Sequence, residues 1–140
     1  AFEATITTEQ NPSSGADTKI NFDSEVFDTA GAYSTTDKRF TVPSGQAGKY
    51  FIYCNACCGS NSNTTLQSVY LKTYKNGSLL KKSFYLATAN YTRYQPMFVG
   101  NVIELGVGDY IEMYTNTTIT SGTVEVRTTE SMFGGYKIIE

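Results

Sequence analysis

The chain has 140 residues, and its 13 Asp and Glu against 11 Lys and Arg give a net charge of −2. Because phosphate backbones are bound by clustered Lys and Arg, and the positive charges here are scattered, a nucleic-acid partner is not expected. The sequence contains no histidine, which excludes Ser-His-Asp and Cys-His catalytic arrangements and removes the commonest metal ligand.

The length is that of one ordinary domain, and neither a linker nor an internal repeat divides residues 1–140. No apolar run approaches the roughly 20 residues that span a bilayer, so a membrane partner is not expected either. The first ten residues, AFEATITTEQ, lack the charged start and the apolar stretch of a signal peptide. Three cases fit this start: a leader that was removed, a segment of a longer protein, or a protein without a leader.

Short apolar runs, many of them alternating with polar residues and separated by Gly, Asn, Ser or Asp, predict an all-β sandwich or barrel. In chain order the predicted strands are KRFTVP, KYFIYCNAC, QSVYLKTYKNG, NVIELGVGDYIEMYT, GTVEVRTT and GGYKIIE. Pro43 closes the first of them, because proline cannot donate a hydrogen bond to a sheet. Asn76-Gly77 predicts a hairpin turn, and Gly106 to Asp109 predict a second turn.

Alternation along two of these strands predicts which side chains share a face. In the strand from Tyr50, one face carries Tyr50, Ile52, Cys54 and Ala56, and the other carries Phe51, Tyr53, Asn55 and Cys57. In the strand after Asp109, Ile111 and Met113 share a face opposite Tyr110, Glu112 and Tyr114. Strands with two such faces suit a sandwich whose outer face is partly covered by another subunit.

All three cysteines of the chain, Cys54, Cys57 and Cys58, fall in or directly after the strand from Tyr50. Three thiols without a histidine are one ligand short of a zinc site. A redox C-x-x-C normally begins a helix, whereas the flanking residues here favour a strand. In a strand, Cys54 and Cys57 point to opposite faces and lie about 10 Å apart. We therefore predict buried or half-buried thiols, with a disulfide and a metal site as the alternatives.

Two groups of acidic residues lie close together in the sequence. One group could bind calcium, which takes oxygen ligands, and consists of Asp23, Glu25 and Asp28. The other could supply a pair of carboxylates for glycoside hydrolysis, and consists of Glu104, Asp109 and Glu112. EF-hand spacing is missing from the first group, and the predicted turn explains Asp109 in the second. We predict no catalytic residue and no cofactor, and calcium is the one metal that the sequence suggests.

Several segments resemble one family. The stretch KINFDSEVFDTAGAYSTTDKRFTVPSGQAGKYFIY is similar to the signature of the globular head of the complement first-component q subunit. The matching positions along it are Phe22, Asp28, Tyr33, Phe40, Val42-Pro43 and Gly48-Lys49-Tyr50. The segments VYLKTYKNGS, IELGVGDYIEMY and SMFGGYKIIE resemble the later hairpin, the Leu-x-x-Gly-Asp turn and the final strand of the same family. The resemblance extends over essentially the whole chain.

The resemblance implies a ten-stranded jelly-roll β-sandwich, related to tumour necrosis factor, that assembles as a homotrimer. Members of this family are binding and structural modules, so no enzymatic activity is implied. Aromatic side chains pack around the threefold axis in the family, and tyrosine is favoured where an apolar surface meets a partner. The expected interface residues are Tyr53, Tyr70, Tyr110, Tyr114 and Phe133.

In detail, the segments most resemble the versions of this domain carried by bacteriophage virion proteins, on tail fibres, head fibres or capsid decoration proteins. This implies localisation to a virion, other virion proteins as partners, and an exposed tip that binds a host-surface polysaccharide or protein. The candidate ligand loops are Asn61, Ser62, Asn63, Thr64, Thr117 and Thr118. The alternative is a secreted, extracellular recognition domain of a cellular organism that binds carbohydrate or protein ligands.

Overall fold

A computed structural model describes residues 1–88 and 92–139, and over these ranges the chain forms twelve strands in two antiparallel sheets. The strands are β1 (Phe2–Thr5), β2 (Thr18–Lys19), β3 (Ser24–Asp28), β4 (Tyr33–Ser34), β5 (Arg39–Thr41), β6 (Gly48–Ser60), β7 (Leu66–Lys75), β8 (Ser78–Leu86), β9 (Tyr94–Leu105), β10 (Tyr110–Ile119), β11 (Val124–Val126) and β12 (Met132–Ile139). Within the part of the chain that the structure describes, no helix could span a membrane.

Two long strands, β6 and β10, organise the two sheets. In the first sheet, β6 pairs with β9 along one edge and with β12 and β11 along the other, and β1 and β3 follow beyond β12. In the second sheet the order is β8, β7, β10, β5 and β4, and β2 also pairs with β10. Neighbours far apart in sequence are typical of a jelly roll, which confirms the predicted fold. Ten of the strands have three or more residues, and β2 and β4 have two each.

The predicted strands are all present, but several are longer or shorter than the sequence suggested. β6 continues to Ser60, beyond the predicted end at Cys57, because β11 and the start of β9 pair with its last residues. β9 begins at Tyr94 rather than Asn101 for the same reason. Pairing with a distant strand thus extends β6 and β9 past the point where their own sequences cease to alternate clearly.

The predicted faces of the central strands are confirmed. The inner face of β6 is buried at Tyr50, Ile52, Cys54, Ala56 and Cys58, and that of β10 at Ile111 and Met113. These side chains meet in one core between the two sheets. Burial of this apolar surface is the main stabilising contribution to the sandwich.

Aromatic rings fill one end of the core. The ring of Phe2 stacks on Phe40 with centroids 4.5 Å apart, and it meets Phe133 edge-on at 5.0 Å. Phe133 has no exposed surface, so its prediction as a trimer-interface residue is wrong. Phe133 lies opposite Cys54 in the register of β12 and β6. The pleat of the sheet therefore directs both side chains into the core.

Both predicted turns are confirmed, and side chains link them to each other. Asn76 and Gly77 have φ of 51° and 79°, the left-handed pair that a two-residue hairpin between β7 and β8 requires. The Asn76 amide donates to Asp109 Oδ1 (2.7 Å) and accepts from the N–H of Tyr110 (2.9 Å). Lys75 Nζ pairs with Asp109 Oδ2 at 2.8 Å, so three side-chain contacts join the hairpin to the turn before β10.

This linkage predicts an acid-dependent loss of stability. Hydrogen bonds from Lys75 and Asn76, with a further one from the N–H of Gly106, lower the pKa of Asp109 to about 2. Because this folded-state pKa is below the ordinary value of 3.8, the stabilisation is complete above about pH 4 and is lost as the pH falls toward 2. Asp109→Asn should therefore lower the free energy of unfolding at pH 7 by about 1 kcal/mol.

Urea denaturation at several pH values between 7 and 3 checks this prediction. The deficit of Asp109→Asn relative to the wild type should shrink as the pH falls, because the wild type loses the same contribution. Glu25→Gln is the control, since Glu25 is an exposed carboxylate on β3, away from this cluster. An equal deficit for Asp109→Asn at every pH would contradict the proposed role of the carboxylate.

Candidate functional site

The outer face of the first sheet carries a cluster of aromatic and apolar side chains. The ring of Phe51 lies 6.0 Å from that of Tyr53 and 5.6 Å from that of Tyr136. Val102 lies opposite Phe51 in the register of β6 and β9, and its side chain is 61% exposed. Phe98, on the same face of β9, is also exposed. These residues are called the front face below.

Glycines on either side of Tyr53 shape the centre of the front face. A Cβ atom on Gly134 would lie 2.5 Å from the Tyr53 hydroxyl, and one on Gly100 would lie 2.6 Å from the ring of Phe98. The Tyr53 hydroxyl donates to Glu3 Oε2 at 2.7 Å. Burial, together with this hydrogen bond to Glu3, raises the pKa of Tyr53 to about 12. The tyrosine therefore stays neutral, and its ring lies close against the backbone of the sheet.

A second apolar region lies along the edge strands β8 and β9. Over the described ranges, each of these strands has one strand neighbour, so one backbone edge of each is unpaired. Between them runs an open groove of about 440 Å³, which we call the edge groove. It is lined by Leu80, Lys81, Asn101, Val102, Ile103 and Glu104. Val102 therefore belongs to both the edge groove and the front face.

The outer face of the second sheet, called the back face below, carries aromatic rings among charged side chains. Tyr70 stacks on Phe84 with centroids 5.8 Å apart, and Tyr74 lies against Tyr114 at 4.4 Å. Tyr110 lies further along β10, with the guanidinium of Arg39 4.6 Å from its ring centroid.

The structure thus divides the residues predicted to form one trimer interface. Tyr53 lies on the front face, Phe133 lies in the core, and Tyr70, Tyr110 and Tyr114 lie on the back face. The front and back faces are on opposite sides of the sandwich, so a single compact patch cannot include residues of both.

The predicted ligand loops separate in a similar way. Asn61, Ser62, Asn63 and Thr64 form the connection between β6 and β7, and Asn63 and Thr64 are exposed. Thr117 is buried within β10, with its hydroxyl 3.1 Å from that of Thr115, so its prediction as a loop residue is wrong. Thr118 lies on the same strand and is half-buried. β10 extends to Ile119 because β7 pairs with it as far as Leu66.

A cluster of charged side chains around Tyr94 was not predicted. The guanidinium groups of Arg93 and Arg127 lie 4.9 Å and 5.1 Å from the centroid of the Tyr94 ring, and the Tyr94 hydroxyl donates to Glu125. Arg127 also pairs with Glu9 at 3.0 Å. These residues come from three separate parts of the chain, and no spacing in the sequence indicates that they meet.

The cysteines are buried free thiols, as predicted. Cys54 and Cys58 point into the core, where Cys58 Sγ lies 3.5 Å from the Thr115 hydroxyl. Burial raises the pKa of all three thiols, to about 11 for Cys58 and well above the ordinary value for Cys54. The thiols therefore remain protonated at neutral pH and act as small apolar side chains.

We expect these thiols to resist alkylation in the folded protein. With a pKa near 11 instead of 9, the thiolate fraction of Cys58 falls about a hundredfold, in addition to the protection by burial. Iodoacetamide should react with all three cysteines in concentrated guanidinium chloride and very slowly without it, as mass spectrometry would show. Cys57 is the least buried of the three, so the Cys57→Ser variant shows whether any slow labelling of the folded protein comes from this thiol. Rapid labelling of the native protein would contradict the assigned burial.

The candidate calcium ligands do not form a common site. Asp23 accepts hydrogen bonds from the N–H and the hydroxyl of Thr7, both at 2.8 Å. Asp28 accepts from the N–H groups of Ala30 (3.1 Å) and Tyr33 (2.6 Å), while Glu25 is exposed. No cluster of three metal-ligating side chains is found in residues 1–88 and 92–139. Asp28 instead holds the turn after β3, and Asp23 links the residue before β3 to the segment that follows β1.

The candidate carboxylate pair is also separated. Glu104 is exposed on β9 of the first sheet, whereas Glu112 lies on β10 of the second sheet and pairs with Lys19. Asp109 is held in the turn by Lys75. Glu104 and Glu112 therefore do not form the facing pair of carboxylates that glycoside hydrolysis requires.

The model of the TNF (Tumour Necrosis Factor) family matches residues 23–138 of the chain. The chain belongs to the tumour necrosis factor family. Two solved structures share its fold. The globular domain of the zebrafish complement 1qA protein is 12% identical with a TM-score of 0.65, over 99% of this chain and 96% of the other. The Eiger TNF from S. frugiperda is 13% identical with a TM-score of 0.65, over 99% and 90%. No curated protein sequence matches the chain.

At these identities the two structures show the fold alone, and they confirm the resemblance to the complement globular head and to tumour necrosis factor. Domains of this tumour necrosis factor family are generally non-enzymatic, commonly form homotrimers and are typically extracellular. Among the surfaces described above, the front face and the edge groove are therefore the first candidates for contact between copies of the chain.

Proposed function

We propose that this protein is a non-enzymatic binding module that acts as a homotrimer. The observation that carries the proposal is the pair of exposed apolar surfaces, the front face and the edge groove, which meet at Val102. The two surfaces differ, so contact between them joins unlike patches of neighbouring copies. Contacts of this kind close into a ring when the rotation per copy allows it.

The chemistry of the two surfaces supports this assembly. The front face presents aromatic rings around Tyr53, because Gly134 and Gly100 have no Cβ and so let the rings of Tyr53 and Phe98 lie close against the sheet. The edge strand β8 presents the exposed apolar side chain of Leu80 to the groove. Burying aromatic and aliphatic surface in this way drives the formation of stable oligomers. A trimer built through the front face leaves the back face and the β6–β7 loop in solvent.

Within this function, we infer that the protein is a bacteriophage virion protein, in a fibre head, a tail or a capsid decoration. Two features support the inference: the detailed sequence resemblance and the free thiols, which suit assembly in a reducing cytoplasm. The tip loop of Asn61, Ser62, Asn63 and Thr64, with the nearby Thr118, would then contact the host surface. Three weak sites on one rigid trimer gain affinity through avidity.

The alternative is a secreted recognition domain, which the typical location of the family favours. A glycan on Asn63 or a collagen-like or coiled-coil segment encoded upstream would support it. Asn63-Thr64-Thr65 and Asn116-Thr117-Thr118 match the acceptor sequence for N-glycosylation. The side chain of Asn116 is held by Gly15 and Asp17, so Asn63 is the more accessible of the two. The full-length gene and its neighbours distinguish the two cases, because adjacent virion structural genes would support the phage origin.

The assembly itself is tested by mass in solution. Sedimentation velocity at micromolar concentration should give three times the mass of the chain. A monomer under these conditions would contradict the proposed homotrimer.

A further inference from the structure

We propose that the back face of this protein binds an acidic glycan, with sugar rings on Tyr70 and Phe84 and a sugar carboxylate facing Lys82. Each glycan site lies within one chain. The inference therefore rests on the proposed homotrimer only for the additional affinity that three sites on one particle provide.

The aromatic rings of the back face are arranged in two pairs. Tyr70 and Phe84 lie side by side on β7 and β8, with 27° between their planes, and the exposed fraction of Phe84 is 58%. Tyr74 and Tyr114 form the second pair on β7 and β10. Tyr70 and Tyr74 are four residues apart on one strand, which places the pairs about 13 Å apart. A chain of several sugar rings could therefore contact both pairs.

The charge of the back face favours an anionic ligand. The ammonium group of Lys82 lies 5.5 Å from the Tyr70 ring centroid, and over the described ranges no carboxylate forms an ion pair with it. Lys72 also lies over Tyr70, at 5.7 Å, but it pairs with Asp17 at 2.7 Å. The ammonium group of Lys82, beside the half-buried Tyr70 ring, thus has no ion-pair partner among the described residues, and a carboxylate on the ligand would complement it.

The polar groups between the two aromatic pairs are already held in place. Asp17 accepts hydrogen bonds from Lys72, from the Asn116 amide (2.8 Å) and from the Tyr74 hydroxyl (3.3 Å). Side chains fixed in this way lose little conformational entropy when a ligand binds. Alternating aromatic and charged groups interrupt the apolar surface of the back face. A sugar chain, with apolar ring faces and polar edges, matches this alternation better than a continuous apolar protein surface does.

The inference is tested by titration calorimetry with hexagalacturonate, with cellohexaose as the neutral probe and a heparin hexasaccharide as a sulfated one. We expect hexagalacturonate to bind, and cellohexaose to bind more weakly. Lys82→Gln and Tyr70→Ala should each weaken hexagalacturonate binding about tenfold, through loss of a charge-assisted contact and of the stacking surface. Lys81→Gln is the matched control, because this neighbouring lysine lines the edge groove instead of the back face, and sedimentation velocity must show that this variant has the same mass in solution as the wild type.

Several results would overturn the inference. Among these are no hexagalacturonate binding by the wild type, equal weakening by Lys81→Gln and Lys82→Gln, and binding of the heparin probe alone. Sedimentation of the same samples separates this inference from the proposed trimer. A wild-type trimer without glycan binding refutes the glycan site alone, whereas a monomer that binds hexagalacturonate refutes the trimer and supports the site.

Discussion

Replacing Val102 by lysine should convert the trimer into monomers at micromolar concentration. Val102 is 61% exposed in the single chain and lies where the front face meets the edge groove, so a trimer contact on either surface covers it. Lysine at this position would place an ammonium group in an apolar interface, where an unpaired charge is strongly unfavourable. Sedimentation velocity measures the change directly.

Val107→Lys is the matched control for this experiment. Val107 is 56% exposed, but it lies in the turn between β9 and β10, away from the front face. This variant should remain a trimer, and circular dichroism should show that both variants are folded. If Val102→Lys still forms trimers, or if both variants dissociate to the same extent, the assignment of the front face is wrong.

Phe133→Ala should lower the free energy of unfolding by about 3–5 kcal/mol, the cost of removing a large aromatic side chain from a packed core. The ring is fully buried and contacts Phe2, Phe22 and Tyr33, with centroid distances of 5.0, 5.7 and 5.9 Å. Alanine would leave a cavity among rings that cannot close around it. Urea denaturation at one fixed protein concentration measures the loss, because trimer formation would otherwise shift the midpoint.

Phe84→Ala provides the comparison, since it makes the same chemical change at an exposed position on the back face. This substitution should lower the free energy of unfolding by less than about 1 kcal/mol, because most of the Phe84 surface is exposed to water in the folded protein. A loss for Phe133→Ala as small as that for Phe84→Ala would contradict the placement of Phe133 in the core.

The positions of Phe133 and Thr117 show where prediction from the sequence reaches its limit. Both residues were expected on the surface, and both are buried. An alternating pattern shows that neighbouring residues point to opposite sides of a strand, but not which side faces the core. That choice depends on register with a distant strand, such as Cys54 opposite Phe133.

Local features were predictable because they depend on a few adjacent residues. Asn76 and Gly77 adopt the left-handed backbone of a tight hairpin, and the thiol of Cys54 points inward with Ile52, as the period of two requires. Local alternation and turns predicted an all-β sandwich or barrel, and the resemblance to the complement globular head implied the jelly roll. The sequence alone therefore determined the fold class, the main strands and turns, and the buried state of the cysteines.

Only the tertiary structure decided which residues share a surface. Tyr53 and Tyr70 look alike in the sequence, yet they lie on opposite sides of the sandwich because β6 and β7 belong to different sheets. Lys81 and Lys82 are adjacent, but one lines the edge groove and the other lies over a ring of the back face. Sheet membership is set by pairing between strands far apart in the chain, and no local pattern of residues encodes it.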